Sequence, residues 1–292
     1  MAPSIQLETY NRIVYARVLE QLTDAPKKSF KETLADFNQM MWFIIRKEGE
    51  MKVYAYMQCW KQLESFGAFD HLKTIYKDAI APSDDDKYSL MLTIPAKAPS
   101  GTNESYAMDC SKLLTNMLIA PAFIAATKAK EGKGDDKVIQ IDYRPGESYW
   151  VKSSGDRMTV IFSIKFDDKD DAVFGRVFVN EFAKGQAGCP SCDVVTRKNA
   201  PPPAELKDVS GLAEDNCYIS FLFEKRHLAN PQKTLEVLMT CRNYINYHIK
   251  CSKAFLHIRM RNKVSHLQLV LNRAKPEREV EKKTASGRTF KK

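Results

Sequence analysis

The chain has 292 residues, 44% hydrophobic and 28% charged, enough apolar content to bury a sizeable core and too much for a disordered protein. Its net charge of +9 is unevenly placed: residues 225–292 hold 17 Lys/Arg against 4 Asp/Glu, the first 224 hold 28 against 32. The basic end could attract nucleic acid, anionic lipid or an acidic protein surface. The longest apolar stretch, 113–126, contains Asn116 and Pro121 and falls short of the roughly 20 residues of a membrane span, so no transmembrane segment is expected.

In chain order, apolar positions from Ile5 to Leu22 predict a helix ending near Pro26. Strands are expected at 36–46 and 51–60, joined by a charged turn at 47–50 whose Gly49 permits a positive φ. A helix around 69–79, a strand at 87–94 and a helix from about 103 to 128 complete a first unit. After the turn-rich "AKEGKGDDK" the order starts again, with strands at 138–143, 148–153 and 156–166, a segment at 172–182, a long loop, a strand at 217–224 and a helix. The recurrence predicts an α+β fold: two related two-layer units with mostly antiparallel sheets, plus a long C-terminal helix. The expected divisions are 1–130, 131–230, a helix over 231–275 and a polar tail over 276–292.

That helix carries the most distinctive pattern. Asn230 suits an N-cap and Pro231 a first helical position, and the next Pro or Gly is Pro276. A continuous helix over 232–275 would be on the order of 65 Å long. At about 100° per residue, Ile245, Ile249, Leu256, Met260, Val264, Leu267 and Leu271 form one stripe, with Leu238 and Cys241 at its start. A second set, Tyr244, Tyr247, Cys251, Ala254, Phe255 and Ile258, lies opposite and nearly stops there. The first half should therefore be buried on two faces and the second half covered along one stripe by a helix of another protein. Lys250, Lys253, His257 and Arg261 border the stripe, where cations favour an acidic partner.

Catalytic chemistry is not expected. The CxxC of "GCPSC" (Cys189, Cys192) lacks two further zinc ligands and the strand-to-helix setting of a redox dithiol. No two histidines stand three to five residues apart. His248 and Cys251 are one turn apart, but Cys251 falls on the second apolar face and reads as a buried, inert thiol. "EGKGDDK" lacks phosphate-loop spacing, and the acidic runs at 84–86 and 167–171 lack calcium-loop spacing. "APPPAELKD" reads as a stiff connection or a polyproline ligand. No cofactor and no metal are expected. The odd number of cysteines and the absence of an apolar leader suggest a reducing, cytoplasmic setting.

The stretches "YHIKCSKAFLHIRMR", "LNRAKP" and "SGRTF", with "DRMTVIFS", "GRVFVNEF" and "PPAELKD" before them, resemble the p34-type second subunit of the actin-related protein 2/3 complex. The resemblance implies a non-catalytic scaffold of the actin cytoskeleton. Its partners would be the related fourth subunit, the two actin-related subunits, the remaining subunits, and the side of a mother actin filament from which a branch is nucleated. It assigns Ile245, Ile249, Leu256, Met260, Val264, Leu267 and Leu271 to the subunit interface. Lys250, Lys253, His257, Arg261, Arg273 and Lys275 become candidates for contacts with actin or a neighbouring subunit. The alternative, a basic nucleic-acid-binding protein, would bind with a steep dependence on salt; the chain carries no nucleic-acid motif, and none is expected as a ligand.

Overall fold

The computed structural model describes residues 7–23, 28–36, 39–184, 189–196, 201–274, 282–283 and 289–290. The chain divides into two compact units, Met1–Tyr247 and His248–Lys292.

Within the first unit a helix α1 (Arg12–Leu22) precedes strands β1 (Phe30–Asp36), β2 (Met40–Lys47) and β3 (Glu50–Met57). Helices α2 (Trp60–Ser65) and α3 (Ala68–Tyr76), strands β4 (Ile80–Pro82) and β5 (Leu90–Ile94), and helices α4 (Asn103–Ser111) and α5 (Leu113–Lys130) follow. The pattern then repeats: β6 (Gly134–Arg144), β7 (Glu147–Gly155), β8 (Arg157–Ile164), α6 (Lys169–Phe182), β9 (Ser191–Val195), β10 (Cys217–Phe223), α7 (Pro231–Met239) and α8 (Cys241–Arg273), which runs on into the second unit. A short pair in the second unit, β11 (Lys282–Lys283) and β12 (Thr289–Phe290), is antiparallel.

The two five-stranded sheets have the same topology, β1-β2-β3-β5-β4 and β6-β7-β8-β10-β9, with every pairing antiparallel. The expected fold class is therefore present. The likeness reaches single residues: the β2–β3 hairpin closes on Lys47 and Glu50, the β7–β8 hairpin on Ser154 and Arg157. Counting back from these pairs, the inward-facing Trp42, Ile44 and Val53 hold the places of Tyr149, Val151 and Val160, and all six are buried. The first hairpin turns through Glu48 (φ 50°) and Gly49 (φ 86°), the double positive φ of a primed turn that matches strand twist.

Three strands and one helix escaped the sequence pattern. In β1 the inward positions are Phe30, Glu32 and Leu34, and Glu32 interrupts the apolar alternation because it faces Arg17 at 2.8 Å. Strand β4 has three residues, and β9 is an edge strand in which exposed Ser191 and Asp193 alternate with half-buried residues. The expected strand through residue 60 ends at Met57, and Trp60 opens α2 with Leu63 buried beside it. The expected helix over 103–128 is two helices bent by 69° at Lys112.

One core joins the two sheets. Helix α5, apolar on all sides, packs on α3 and α7 and on β6, β7 and β8 of the second sheet. Tyr149 donates its hydroxyl to the Leu118 carbonyl at 2.7 Å. Leu113, Met117 and Ile119 are fully buried, each side chain worth about 2 kcal/mol of apolar burial. At the end of α5, Gly132 (φ 71°) donates to Ala129 O at 2.9 Å and closes the helix. The outer face of the second sheet is closed differently, by the segment 201–215: Leu206 is buried with Trp150, Ile161 and Tyr218, and Val209 and Leu212 pack beside it. No single helix among the described residues is long and apolar enough to cross a membrane.

Candidate functional site

The last two helices begin as the sequence leads one to expect. Asn230 accepts from Lys233 N at 3.2 Å, and Pro231 occupies the first turn. The helix is not continuous, however. At Thr240 the backbone N–H donates to Val237 O at 3.1 Å, three residues back, and Thr240 Oγ1 donates to the same carbonyl at 2.7 Å. This tightened turn ends α7, and α8 starts afresh with Tyr244 N donating to Thr240 O at 2.8 Å.

In the first unit, the opening turns of α8 are held by a polar cluster. Glu147, 3% exposed, accepts from Arg242 Nε and Nη2 at 2.9 and 3.0 Å and from Lys165 N at 3.0 Å. Arg144 Nη2 donates to Asn243 Oδ1 at 3.1 Å. Burial, then the neighbouring Arg242 charge, lower the Arg144 pKa. Ile245 is fully buried, and the Phe178 and Tyr244 rings lie 6.3 Å apart. A bidentate, buried guanidinium–carboxylate pair of this kind fixes orientation as well as position. It joins residues 95 apart in sequence, and a lone Glu in a strand gives no hint of it.

In the second unit, Ile249 is buried. Beyond it the stripe is open: Leu256, Met260, Val264, Leu267 and Leu271 are exposed, Met260 and Leu267 to 56% and 57%. The second apolar set differs from expectation. Tyr247, Cys251, Ala254, Phe255 and Ile258 are exposed rather than buried. Cys251 is accordingly an exposed thiol, not a core one. The Arg259 guanidinium lies 5.6 Å from the centre of the Phe255 ring, a cation–π contact that shields part of it.

The candidate cations fall as a border to the stripe. Lys250, His257, Arg261 and Arg273 are exposed and Lys253 half-buried; Lys275 lies outside the described residues. From Cys241 to Arg273 there is no Asp or Glu. At about 1.5 Å per residue, the 33 residues of α8 span roughly 50 Å. An apolar stripe edged by cations can bind an apolar ridge edged by carboxylates. Burial pushes the Cys192 thiol up to about 11 and the Cys217 and Cys241 thiols up to about 12, so none of the three is a thiolate near neutral pH. Among the described residues no cluster of three or more His, Cys, Asp or Glu is placed to hold a metal ion.

Residues 53–278 match the family described as "Arp2/3 complex, 34 kD subunit p34-Arc". Two proteins named "Actin-related protein 2/3 complex subunit 2" are each 31% identical to the chain. That of Dictyostelium discoideum aligns over 291 residues, 98% of this chain and 98% of its own. That of Schizosaccharomyces pombe aligns over 313 residues, 98% of this chain and 99% of its own. With matches that run almost end to end through both sheets and the final helix, the chain belongs to the p34-Arc family of Arp2/3 complex subunits.

Proposed function

We propose that the chain is a non-catalytic scaffold subunit of a cytoplasmic actin-related protein 2/3 complex. In this reading its final helix pairs with the fourth subunit, and its fold supports the two actin-related subunits. The cations beside the helix meet acidic surfaces of a neighbouring subunit or of the mother actin filament.

The observation that carries this reading is the open stripe of α8. Five large apolar side chains at helical spacing stand exposed over about four turns, an arrangement that monomeric proteins avoid and obligate interfaces use. The first repeat supplies a precedent for the cover. Its long helix α5 packs on the sheet and helix of the neighbouring repeat, so a helix in the equivalent place calls for a similar sheet and helix from another chain. The border cations favour an acidic partner and add steering.

The test is to purify tagged chain from its own cells and identify stoichiometric partners by mass. The wild-type chain should bring the fourth subunit and both actin-related subunits. Met260→Asp and Leu267→Asp should lose the fourth subunit while the chain keeps its thermal unfolding temperature. In the intact complex, Arg261→Glu should weaken co-sedimentation with actin filaments by about tenfold, ~1.4 kcal/mol. Undiminished recovery of the fourth subunit with both Asp variants would refute the pairing, and unchanged co-sedimentation would refute the filament contact of Arg261.

A further inference from the structure

Both helix breaks of the first unit open on one cavity. The break at Lys112 lines it through Ser111 and Thr115, the break at Thr240 through Thr240 itself and Asn243, and Asp36, the last residue of β1, completes the wall. The cavity volume is about 40 Å³, room for about three waters or one small planar group and too little for a nucleotide or a sugar.

The hydroxyls of this lining have spent their protons. Ser111 Oγ donates to Met108 O, Thr115 Oγ1 to Thr9 O and Thr240 Oγ1 to Val237 O, each at 2.7 Å. A hydroxyl whose proton is committed has only lone pairs left to offer. Asp36 adds negative charge. It is 8% exposed, and both of its side-chain donors, Asn11 Nδ2 at 2.9 Å and Trp42 Nε1 at 3.2 Å, reach the same oxygen, Oδ2. Among the described residues nothing donates to Oδ1, and this oxygen is not sealed off from solvent, so it opens on the cavity. Glu8, also in the lining, is paired with Arg12, and the side-chain amides of Asn243 and Gln39 are neutral.

We propose that this cavity is a binding site for one organic cation, a guanidinium or primary ammonium group, which donates to Asp36 Oδ1 and to the hydroxyl oxygens around it. Acceptors beside a buried, half-paired carboxylate are matched by a group that has positive charge and only donors. A hard metal ion asks for several charged or carbonyl oxygens, and among the described residues no three His, Cys, Asp or Glu are grouped to hold one. Leu114, Leu118 and Met239 supply an apolar wall for an alkyl stem or a flat guanidinium face. Since both breaks wall the cavity, an occupant ties the α4–α5 corner to the α7–α8 corner, where the helix with the open stripe begins.

The probe is methylguanidinium chloride, titrated into the full chain expressed alone and followed by the indole N–H resonances of its three tryptophans. Trp42 Nε1 donates to Asp36, so its resonance should shift saturably at concentrations on the order of millimolar, while those of Trp60 and Trp150 stay in place. Methylurea, of similar shape without the charge, should move none of them. Asp36→Asn keeps an oxygen for Asn11 and Trp42 and turns an amide donor into the cavity, so it should weaken binding by at least about tenfold. Leu114→Phe, which narrows the cavity without touching Asp36, should weaken it as well. Equal thermal unfolding temperatures would show that the variants are folded. An unmoved Trp42 resonance overturns the proposal, as does an equal response to methylurea or a response that survives both substitutions; none of these touches the scaffold reading. The source of the natural group is read in the purified complex, and that step does rest on the scaffold reading. Loss of one neighbouring subunit with Asp36→Asn assigns the group to an Arg or Lys of that subunit, and unchanged composition assigns it to a free amine.

Discussion

Helices α4–α5 and α7–α8 occupy equivalent places after the fifth strand of each sheet, and each pair opens with nine residues and a break, at Lys112 and at Thr240. From there they diverge. Helix α5 is 18 residues long, apolar on all sides and buried, and it stops at Gly132. Helix α8 has 33 residues, no acidic side chain, and a buried Ile245 and Ile249 followed by an open surface. The comparison teaches that position in a duplicated fold sets where a helix starts, while what lies over it sets how its surface is written. Met117 in α5 and Leu267 in α8 are comparable side chains in opposite settings, one buried and one exposed.

Polar substitution should separate those roles most sharply. Met117→Asp would bury an unpaired carboxylate at a fully buried site and should cost more than about 4 kcal/mol, leaving little folded chain. Leu267→Asp should shift the stability of the isolated chain by less than about 0.5 kcal/mol. Urea unfolding of both variants decides it, and similar losses would erase the distinction between a helix covered by its own chain and one whose stripe stands open.

The next largest effect belongs to the anchor at the start of α8. Glu147→Ala would leave Arg242 and the half-buried Arg144 without their carboxylate and should destabilise the first unit by about 3–5 kcal/mol. Fluorescence-monitored unfolding measures this directly. A loss below about 1 kcal/mol would show that the pair is incidental to holding α8.

The smallest effect is a dependence on pH within the covered helix's own packing. His71 of α3 is buried with its ring 4.6 Å from Phe123 of α5, and burial lowers its pKa below the ordinary imidazole value. The unfolded chain therefore takes up this proton first as pH falls, so the stability His71 allows above the imidazole range is lost on acidification through it. Thermal unfolding from about pH 7.5 down to about pH 5 should fall more steeply for the wild type than for His71→Gln. Equal slopes would assign the acid sensitivity to other groups.

Much of this architecture was legible in the sequence because apolar periodicity follows burial. The β2–β3 hairpin at Gly49, the β6–β7–β8 meander and the stripe from Ile245 to Leu271 could be read from spacing alone. The reading failed where burial was partial or polar. Strand β1 was hidden by the inward Glu32 that pairs with Arg17, and β9 by its edge position. The breaks at Lys112 and Thr240 were hidden because neither carries Pro or Gly; each is a tightened turn made by ordinary residues. Spacing placed Cys251, Phe255 and Ile258 on an apolar face, but it cannot say whether this chain or another supplies the cover. The Glu147 cluster left no signal, since its members are distant in sequence and each is unremarkable alone.

The wholly cationic charge of α8 has a thermodynamic consequence of its own. Arg259 and Lys263 stand four residues apart with no acidic side chain on the helix, so they repel along it and weaken it from within. An acidic partner that neutralises them relieves that repulsion as it binds. With such a partner bound, helical order and assembly would be linked functions: whatever strengthens one would strengthen the other, and dilution of the partner would be felt by the chain as a loss of its own structure.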